Sequence, residues 1–375
     1  MRLTEVRLDR RRDLGEFLRL PLTLYRGDPN FVPPLALERR RFFSPANPLF
    51  DFTEARFYLL RDDRGRPIGR ISAHVNRRHN DFTGERTGFF GFFECVPRLA
   101  AAARLLEAAE TDLRARGMTA VRGPFNFSTN EECGFLAEGF DRPPALMMPY
   151  TQPCYLDFMR ELGYRCVRRL LAFEITSGGR VPERMDRFNR RLRERLQVTV
   201  RPVDPARFDE EAAQVFGLYN RIWESNWGFV PMTEAEFRYA AAELRPIADP
   251  GLVLLAERDG EAVGFALTLP DINAVLRRMR GRVWPFGWFW FLARRRLVRR
   301  VRILMLGVLP AFRGRGLDTL LYQETARRCI ERGYYDGEAS WILEDNAAMR
   351  RPMERAGARV SKIYHLYEKP LCASS

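Results

Sequence analysis

The segment GVLPAFRGRGLDTLL, residues 307–321, places a loop with two glycines between an apolar strand and a helix. The glycines allow the backbone to approach a ligand closely, and the N–H groups of the loop and of the helix start are suited to an anion. The two arginines of the loop add guanidinium groups that match phosphate oxygens. The segment therefore predicts a pyrophosphate site. The alternative is an ordinary strand–turn–helix joint with surface arginines.

The elements around this loop repeat an order that is also present in the first half of the chain. The apolar pattern predicts a hairpin at 251–270, strand 301–310, helix 315–333, strand 334–343, short helix 346–357 and last strand 358–369. RDDRGRPIGRISA (61–73) and ERDGEAVGFALTL (257–269) both run strand, acidic–glycine turn, strand with an internal glycine. We therefore predict an α/β chain with mixed sheets, built as two copies of one unit.

Two motifs give this chain a resemblance to a known superfamily. Val308-Leu309-Pro310 followed by Arg313-Gly314-Arg315-Gly316 resembles the coenzyme A loop of the GCN5-related N-acetyltransferases (GNAT), which reads V-x-P and then Q/R-x-x-G-x-G/A. A family motif that starts at Ala311 has Ala in place of its usual Gln or Arg. The segment LEDNAAMRRPMERAGA (343–358) resembles a second family motif, with Asn346 and Gly357 in place.

The resemblance covers about 197–369 and weakens over 1–178, where ECVPRLAAAARLL (94–106) has no glycine pair. We therefore expect a degenerate GNAT-like domain at 1–178, a linker at 179–196 and an acyl-CoA-binding GNAT domain at 197–375.

The resemblance implies a binding mode and a reaction. Strands 301–309 and 335–343 are expected to splay apart and to hold the pantetheine arm between them. Acyl-CoA is expected as a co-substrate, with no permanently bound cofactor, and an amine attacks the thioester directly. The residues expected to bind coenzyme A are Val308, Arg313, Gly314, Arg315, Gly316, Leu317, Asp318 and Asn346.

The catalytic residues stay open at this stage, because Met353 occupies the position that usually holds the family's tyrosine proton donor. Glu338 and Glu344 flank the strand nearest the thioester and are candidate general bases, although Glu344 also suits a helix start. His79 is a third candidate, from a polar cluster in the first half. His74, in a predicted strand, is expected to pack in the core.

An insertion of about 30 residues, 271–300, separates two strands that a tight turn would otherwise join. Long insertions in compact domains are usually functional. This one combines arginines with aromatic residues: Trp284, Phe286, Trp288, Phe289, Trp290 and Phe291. It fits an anionic membrane surface with a long-chain amine or lipid substrate. One alternative is that the insertion packs on the first domain. The other is that it binds nucleic acid, although an apolar cluster without interleaved polar residues suits bases poorly.

The whole-chain pattern, including DPNFVPPL (28–35) and SWILEDN (340–346), resembles tandem transferases of the group that includes the bacterial ceramide synthases. That resemblance implies N-acylation of an amphiphilic amine, with a sphingoid base as one candidate. An aminoacyl transferase of the peptidoglycan-bridge type and a non-catalytic binding protein on a decayed fold remain alternatives.

Composition narrows the classes of binding partner and the cellular compartment that the sequence predicts. The formal net charge of +14 favours phosphate-rich or anionic partners. The six cysteines form no C-x-x-C pair and only three histidines are present, so a metal site is not expected. Scattered cysteines and the absence of a signal-type apolar core predict a cytoplasmic protein. The aromatic and arginine-rich insertion adds the expectation that it is peripheral at the inner membrane face.

Overall fold

The computed structural model describes residues 1–176, 183–284 and 286–371, and its contacts divide the chain into two units. Unit 1 consists of Met1–Leu170, Leu276–Trp288 and the described part of Lys362–Ser375. Unit 2 consists of Leu171–Val275 and Phe289–Ser361.

The first half of the chain alternates strands and helices in the predicted order. Its elements are β1 (Arg2–Glu5), α1 (Arg11–Leu24), α2 (Ala36–Phe42), β2 (Thr53–Arg61), β3 (Pro67–Asn76), α3 (Arg77–Thr83), β4 (Thr87–Cys95), α4 (Leu99–Ala115), β5 (Ala120–Gly123), β6 (Phe135–Glu138), α5 (Cys154–Glu161) and β7 (Arg165–Thr176). The predicted β2–β3 hairpin forms, with Asp62 in its turn accepting N–H bonds from Arg64 and Arg66.

The second half repeats this order and adds short helices. Its elements are α6 (Glu183–Leu196), β8 (Thr199–Pro202), α7 (Phe208–Trp223), α8 (Glu234–Leu244), β9 (Val253–Arg258), β10 (Glu261–Pro270), α9 (Asn273–Met279), α10 (Gly287–Leu292), α11 (Arg294–Leu297), β11 (Arg300–Val308), α12 (Leu317–Glu331), β12 (Asp336–Leu343), α13 (Ala347–Arg355) and β13 (Arg359–Pro370).

Each unit has a mixed sheet, as predicted. In unit 1, strands β1 to β4 pair antiparallel in chain order, β4 pairs parallel with β5, and β5 pairs antiparallel with the end of β13. In unit 2, strands β8 to β11 pair antiparallel and β11 pairs parallel with β12. Helix α4 packs on the sheet of unit 1, and α7 and α12 pack on that of unit 2. Both units therefore contain a short parallel strand pair whose two strands are connected by a helix, α4 in unit 1 and α12 in unit 2.

The units differ from the predicted domain limits at three places. Residues 183–196 of the predicted linker form helix α6, whose Leu192 and Leu196 are buried in the core of unit 2; residues 179–182 lie outside the described residues. The end of β13 belongs to unit 1, where Tyr367 and Leu371 join the core, whereas the end of β7 belongs to unit 2. The insertion 271–300 is divided, because Leu276–Trp288 belongs to unit 1.

Candidate active site

The loop after β11 has the geometry of an anion site. A 3-10 turn at Pro310–Phe312 leads into Gly314 and Gly316, whose φ angles are +69° and +97°, a region that glycine adopts without strain. Helix α12 starts directly after Gly316, and the N–H groups of its first turn have no acceptor within the helix. The loop thus directs backbone donors and the positive end of a helix dipole at one place.

Two arginines fix this loop by hydrogen bonds to carbonyl groups. Arg313 Nη2 donates to the carbonyl of Ile222 at the end of α7, at 2.5 Å. Arg195 Nη2, from α6, donates to the carbonyl of Arg315 at 2.7 Å. The sequence predicts that Arg313 binds phosphate, and the structure shows that part of its guanidinium holds the loop.

For several residues predicted to bind coenzyme A, only backbone groups can contact the ligand, because the side chains are buried or hydrogen-bonded elsewhere. Leu317 and Val308 are buried in the core of unit 2, so their side chains face away from any ligand in solvent. Asn346 caps helix α13, because its side-chain oxygen accepts the N–H of Met349 at 3.2 Å. Gly314 and Arg315 are exposed, and Gly316 and Asp318 are partly exposed.

Strands β11 and β12 separate as predicted. Their parallel pairing runs from Arg300 opposite Asp336 to Ile303 opposite Ala339 and then stops, although both strands continue. The register between β10 and β11 shifts at the same level, leaving Leu304 as an extra residue of a β-bulge. A bulge bends its strand. It therefore accounts for the separation, which leaves the β12-facing backbone groups after Ile303 for an extended ligand.

A buried polar chain lies at the vertex of this opening. Glu338, fully buried, accepts a hydrogen bond from Arg300 Nη2 on one carboxylate oxygen and from Ser340 Oγ on the other, both at 2.7 Å. Ser340 Oγ in turn accepts from Arg302 Nε at 3.1 Å. Glu338 and Ser340 share the predicted face of β12, one residue on either side of Ala339, the last paired residue. The network thus places a fixed carboxylate beside the point where the strands part.

The comparison with known proteins agrees with this geometry. The sequence profile of the acetyltransferase (GNAT) family matches residues 212–358. The bacterial ceramide synthase of Caulobacter vibrioides (strain NA1000 / CB15N) is 37% identical over 369 residues, covering 96% of this chain and 95% of that protein. Protein YghO of Escherichia coli (strain K12) is 35% identical over 370 residues, covering 96% and 93%. The chain belongs to the GNAT family.

Solved structures show that this GNAT chain has the tandem fold. A tandem GNAT protein from the clavulanic acid biosynthesis pathway has a TM-score of 0.59 at 14% identity, over 100% of this chain and 99% of that one. A GCN5-related N-acetyltransferase from Sphaerobacter thermophilus has a TM-score of 0.56 at 17% identity, over 99% and 95%. At these identities the likeness concerns the fold alone. It confirms the two GNAT-like halves.

The remaining GNAT site positions are less polar than the family pattern. Met353, which replaces the usual tyrosine, is buried on α13 and carries no ionisable proton. Glu344 lies partly buried in the turn after β12, where its carbonyl accepts Arg350 Nη1 at 2.6 Å. Of the two acidic candidates, Glu338 is therefore the one that a polar network holds at the strand vertex.

The two histidines of the first half lie in unit 1. His79 is buried on α3, where its Nε2 lies 3.3 Å from Glu85 Oε2 and its ring packs edge-on against Phe89. Burial lowers the pKa of His79 despite this carboxylate. His74 is fully buried, as expected of a core residue, and burial lowers its pKa to about 3. The His79 ring is therefore packed among residues of unit 1.

The corresponding parallel strand pair of unit 1 differs from that of unit 2. Strands β4 and β5 pair in parallel from Thr87 opposite Ala120 to Phe89 opposite Arg122, and β5 ends at Gly123. Unlike the chain at the end of β12, the residues after β5 stay bonded to β4: Phe125 N donates to the Phe90 carbonyl, and Phe92 N donates to the Asn126 side chain, both at 2.8 Å. A methyl group on Gly91 would lie 1.8 Å from the Phe125 oxygen. The backbone at Phe125 therefore lies directly against β4 and leaves no space there for a pantetheine arm.

The aromatic part of the insertion is largely exposed. We define residues 283–292 as the aromatic segment; in it, Trp284 and Phe286 are 79% and 77% exposed. Trp288 and Phe289 are exposed, and Trp290 and Phe291 are partly buried. Exposure of large rings on this scale is unusual for a surface that contacts only water. The alternative prediction, that the insertion packs on the first domain, does not account for the exposure of these four rings: Trp284, Phe286, Trp288 and Phe289.

The start of the insertion is anchored in unit 1 by the segment DPNFVPPL. Arg277 Nη2 donates to the Pro29 carbonyl at 2.6 Å, and the Gly281 carbonyl accepts the Ala36 N–H at 3.2 Å. Gly281, with φ of +74°, lies so close to Pro34 that a methyl group would be 2.8 Å from its oxygen. Within residues 1–176, 183–284 and 286–371, no helix is both long enough and apolar enough to cross a bilayer.

Proposed function

We propose that this protein is an acyl-CoA-dependent N-acyltransferase that acts on an amphiphilic amine at a membrane surface. The observation that carries the proposal is the combination, in unit 2, of the glycine loop, the separated strands and the buried Glu338 network. The loop offers backbone N–H groups to a pyrophosphate, and the opening after Ile303 offers strand-like hydrogen bonds to a pantetheine arm. Acyl-CoA is a co-substrate in this proposal.

In the proposed reaction the amine nitrogen attacks the thioester carbonyl. The new C–N bond forms as the C–S bond breaks, the amine loses one proton, and coenzyme A leaves as a thiolate that takes up a proton. We assign Glu338 as the group that accepts the amine proton, because its carboxylate is fixed beside the strand vertex. In this proposal, backbone N–H groups after Ile303 stabilise the negative charge that develops on the carbonyl oxygen.

The amphiphilic acceptor is proposed from the aromatic segment. Exposed rings between exposed arginines, among them Arg280, Arg282, Arg296 and Arg299, match an apolar layer beneath anionic head groups. A long-chain amine would be drawn from that layer. The name of the Caulobacter relative supports a sphingoid base as the acceptor. We therefore propose a peripheral location at the cytoplasmic membrane face.

The test is mass spectrometry of the purified protein with acetyl-CoA or palmitoyl-CoA and a panel of polar and long-chain amines, with liposomes present. An amide of a long-chain amine is the expected product. Amides of polar amines only would retain the transferase and reject the membrane substrate. An aminoacyl product formed from aminoacyl-tRNA would identify the peptidoglycan-bridge alternative. If the protein neither binds acyl-CoA nor turns it over, the result would support the alternative of a non-catalytic protein on a decayed fold, which the buried Met353 favours.

A matched pair of glycine variants tests the loop. Gly314 and Gly260 both have positive φ angles, +69° and +84°, and a methyl group added to either would have no atom within 4 Å. Ala at either site therefore imposes a similar backbone strain, of about 1 kcal/mol. Gly314→Ala is expected to lower acyl-CoA affinity at least tenfold, whereas Gly260→Ala, in the β9–β10 turn, leaves it unchanged. Equal affinity in both variants would reject the loop as the binding site.

A further inference from the structure

Helix α6, which the sequence presents as part of a linker, is docked beside the glycine loop. The Leu192 side chain packs against Gly316, where a methyl group would lie 3.3 Å from each of its terminal carbons. Arg193 Nη2 forms a 2.9 Å ion pair with the buried carboxylate of Glu324 on α12. Apolar contact and ion pair together fix this helix against the helix that begins at the loop.

Docking brings the guanidinium of Arg195 to the loop itself. Its Nη2 atom donates to the Arg315 carbonyl at 2.7 Å and lies 3.8 Å from the position of a methyl group on Gly316. A guanidinium has five N–H donors in a planar fork, and this carbonyl uses one of them. The remaining donors belong to a guanidinium that adjoins Arg315 and Gly316, the residues directly before helix α12.

The surroundings of Arg195 differ in charge from those of its neighbours. Arg193, Arg327 and Arg328 all contact the carboxylate of Glu324. Over the described residues, neither Arg195 nor Arg315 has a carboxylate within ion-pair distance, and both are exposed. Two positive charges therefore adjoin the positive end of the helix dipole, which is the arrangement that a multiply charged anion requires.

We infer that α6 is part of the acyl-CoA site and that Arg195 binds a phosphate group of coenzyme A. The inference rests on the proposed function, because it assigns a residue to the co-substrate of that reaction. Coenzyme A has two kinds of phosphate, the pyrophosphate and the 3′-phosphate of the ribose, and both offer the oxygens that a guanidinium binds. The helix that precedes β8 thus contributes to donor binding.

The experiment is isothermal titration calorimetry of the full chain with coenzyme A and with 3′-dephospho-coenzyme A. The variants are Arg195→Ala, Arg195→Gln and Arg195→Lys; Gln retains an N–H donor for the Arg315 carbonyl but has no charge. The control is Arg190→Ala, an exposed arginine about 160° around α6 from Leu192. Thermal denaturation of each variant measures whether α6 stays docked.

Arg195→Ala and Arg195→Gln are both expected to weaken coenzyme A binding about 10- to 50-fold, with partial recovery in Arg195→Lys and less than twofold change in Arg190→Ala. If the Arg195 variants lose affinity for coenzyme A but not for 3′-dephospho-coenzyme A, Arg195 binds the 3′-phosphate. If they lose affinity equally for both ligands, Arg195 binds the pyrophosphate. Either result supports the inference. It is overturned if Arg195→Gln binds like the wild type, or if Arg190→Ala loses as much as Arg195→Ala. Failure of the wild type to bind coenzyme A would instead overturn the proposed function.

Discussion

Replacing Glu338 by glutamine separates its proposed chemical role from its structural one. The change keeps the shape of the side chain and an oxygen for the Ser340 hydroxyl, but it removes the charge that pairs with Arg300. Arg300 retains Glu174 at 3.6 Å and Asp271 at 4.0 Å, so its charge is still partly compensated. We therefore expect a loss of about 2–4 kcal/mol in the free energy of unfolding, below the full value for breaking a buried pair.

The effect on turnover is expected to be larger than this stability loss explains. Removal of a general base lowers kcat by about 10²- to 10⁴-fold, whereas a loss of about 3 kcal/mol shifts Tm by roughly 6 °C and leaves the protein folded at 25 °C. The assay compares kcat, measured as coenzyme A release with a saturating amine, with Tm from circular dichroism.

Glu110→Gln in unit 1 is the matched control for this change. Glu110 is also buried and accepts from Arg114, Tyr164 and Lys369, all at 2.9–3.0 Å. It is expected to lose similar stability and to retain kcat within about threefold. Retention of wild-type kcat by the Glu338 variant, at an unchanged pH profile, would refute the assignment of Glu338 as the base. Equal losses of kcat in both variants would show that destabilisation alone accounts for the effect.

Three further predictions concern the membrane surface, the degenerate half and pH. Trp284→Ala with Phe286→Ala is expected to lower binding to anionic phosphatidylglycerol vesicles roughly 30-fold in co-sedimentation, whereas Phe82→Ala, an exposed ring elsewhere in unit 1, changes it less than twofold; equal effects would contradict a specific surface. Calorimetry is expected to give one coenzyme A per chain, because the backbone at Phe125 lies directly against β4 in unit 1; a second site would contradict this. The pKa of His74 is lowered to about 3 by burial, so the unfolded chain binds a proton there below about pH 6.5 and stability is lost as the pH falls toward 3. His74→Leu is therefore expected to reduce the loss of urea stability between pH 7 and pH 4.5, and an unchanged loss would contradict this.

Local chemistry explains which parts of the site could be predicted from the sequence. The loop could be recognised in the sequence because its positive φ angles favour glycine, found at Gly314 and Gly316, and because Pro310 marks the end of the strand. The β9–β10 turn at Asp259–Gly260 is similarly local. The face shared by Glu338 and Ser340 follows from the alternation of a single strand. Each of these predictions depends on residues within a few positions of one another.

Helix α6 and the pairing of the end of β13 with β5 were not predictable in the same way. The sequence ERMDRFNRRLRERL (183–196) is so rich in charge that it resembles a solvated linker, and the spacing of Leu192 and Leu196, one helical turn apart, was the available signal. The pairing of Tyr367 with Gly123 joins residues more than 240 positions apart. Such pairing depends on which strand edges remain open in the folded units, and no local pattern encodes that.

The pairing of the end of β13 makes the second half of the chain dependent on the first. The last four residues of β13, Tyr367–Pro370, pair with β5, and Lys369 forms a 2.9 Å ion pair with the buried Glu110. Tyr367 and Leu371 belong to the core of unit 1. A C-terminal half produced alone, from residue 197, would therefore end in a strand whose pairing partner and core are missing. The half that carries the glycine loop thus depends on the first half for the pairing of its last strand, which gives a physical reason why both halves are retained.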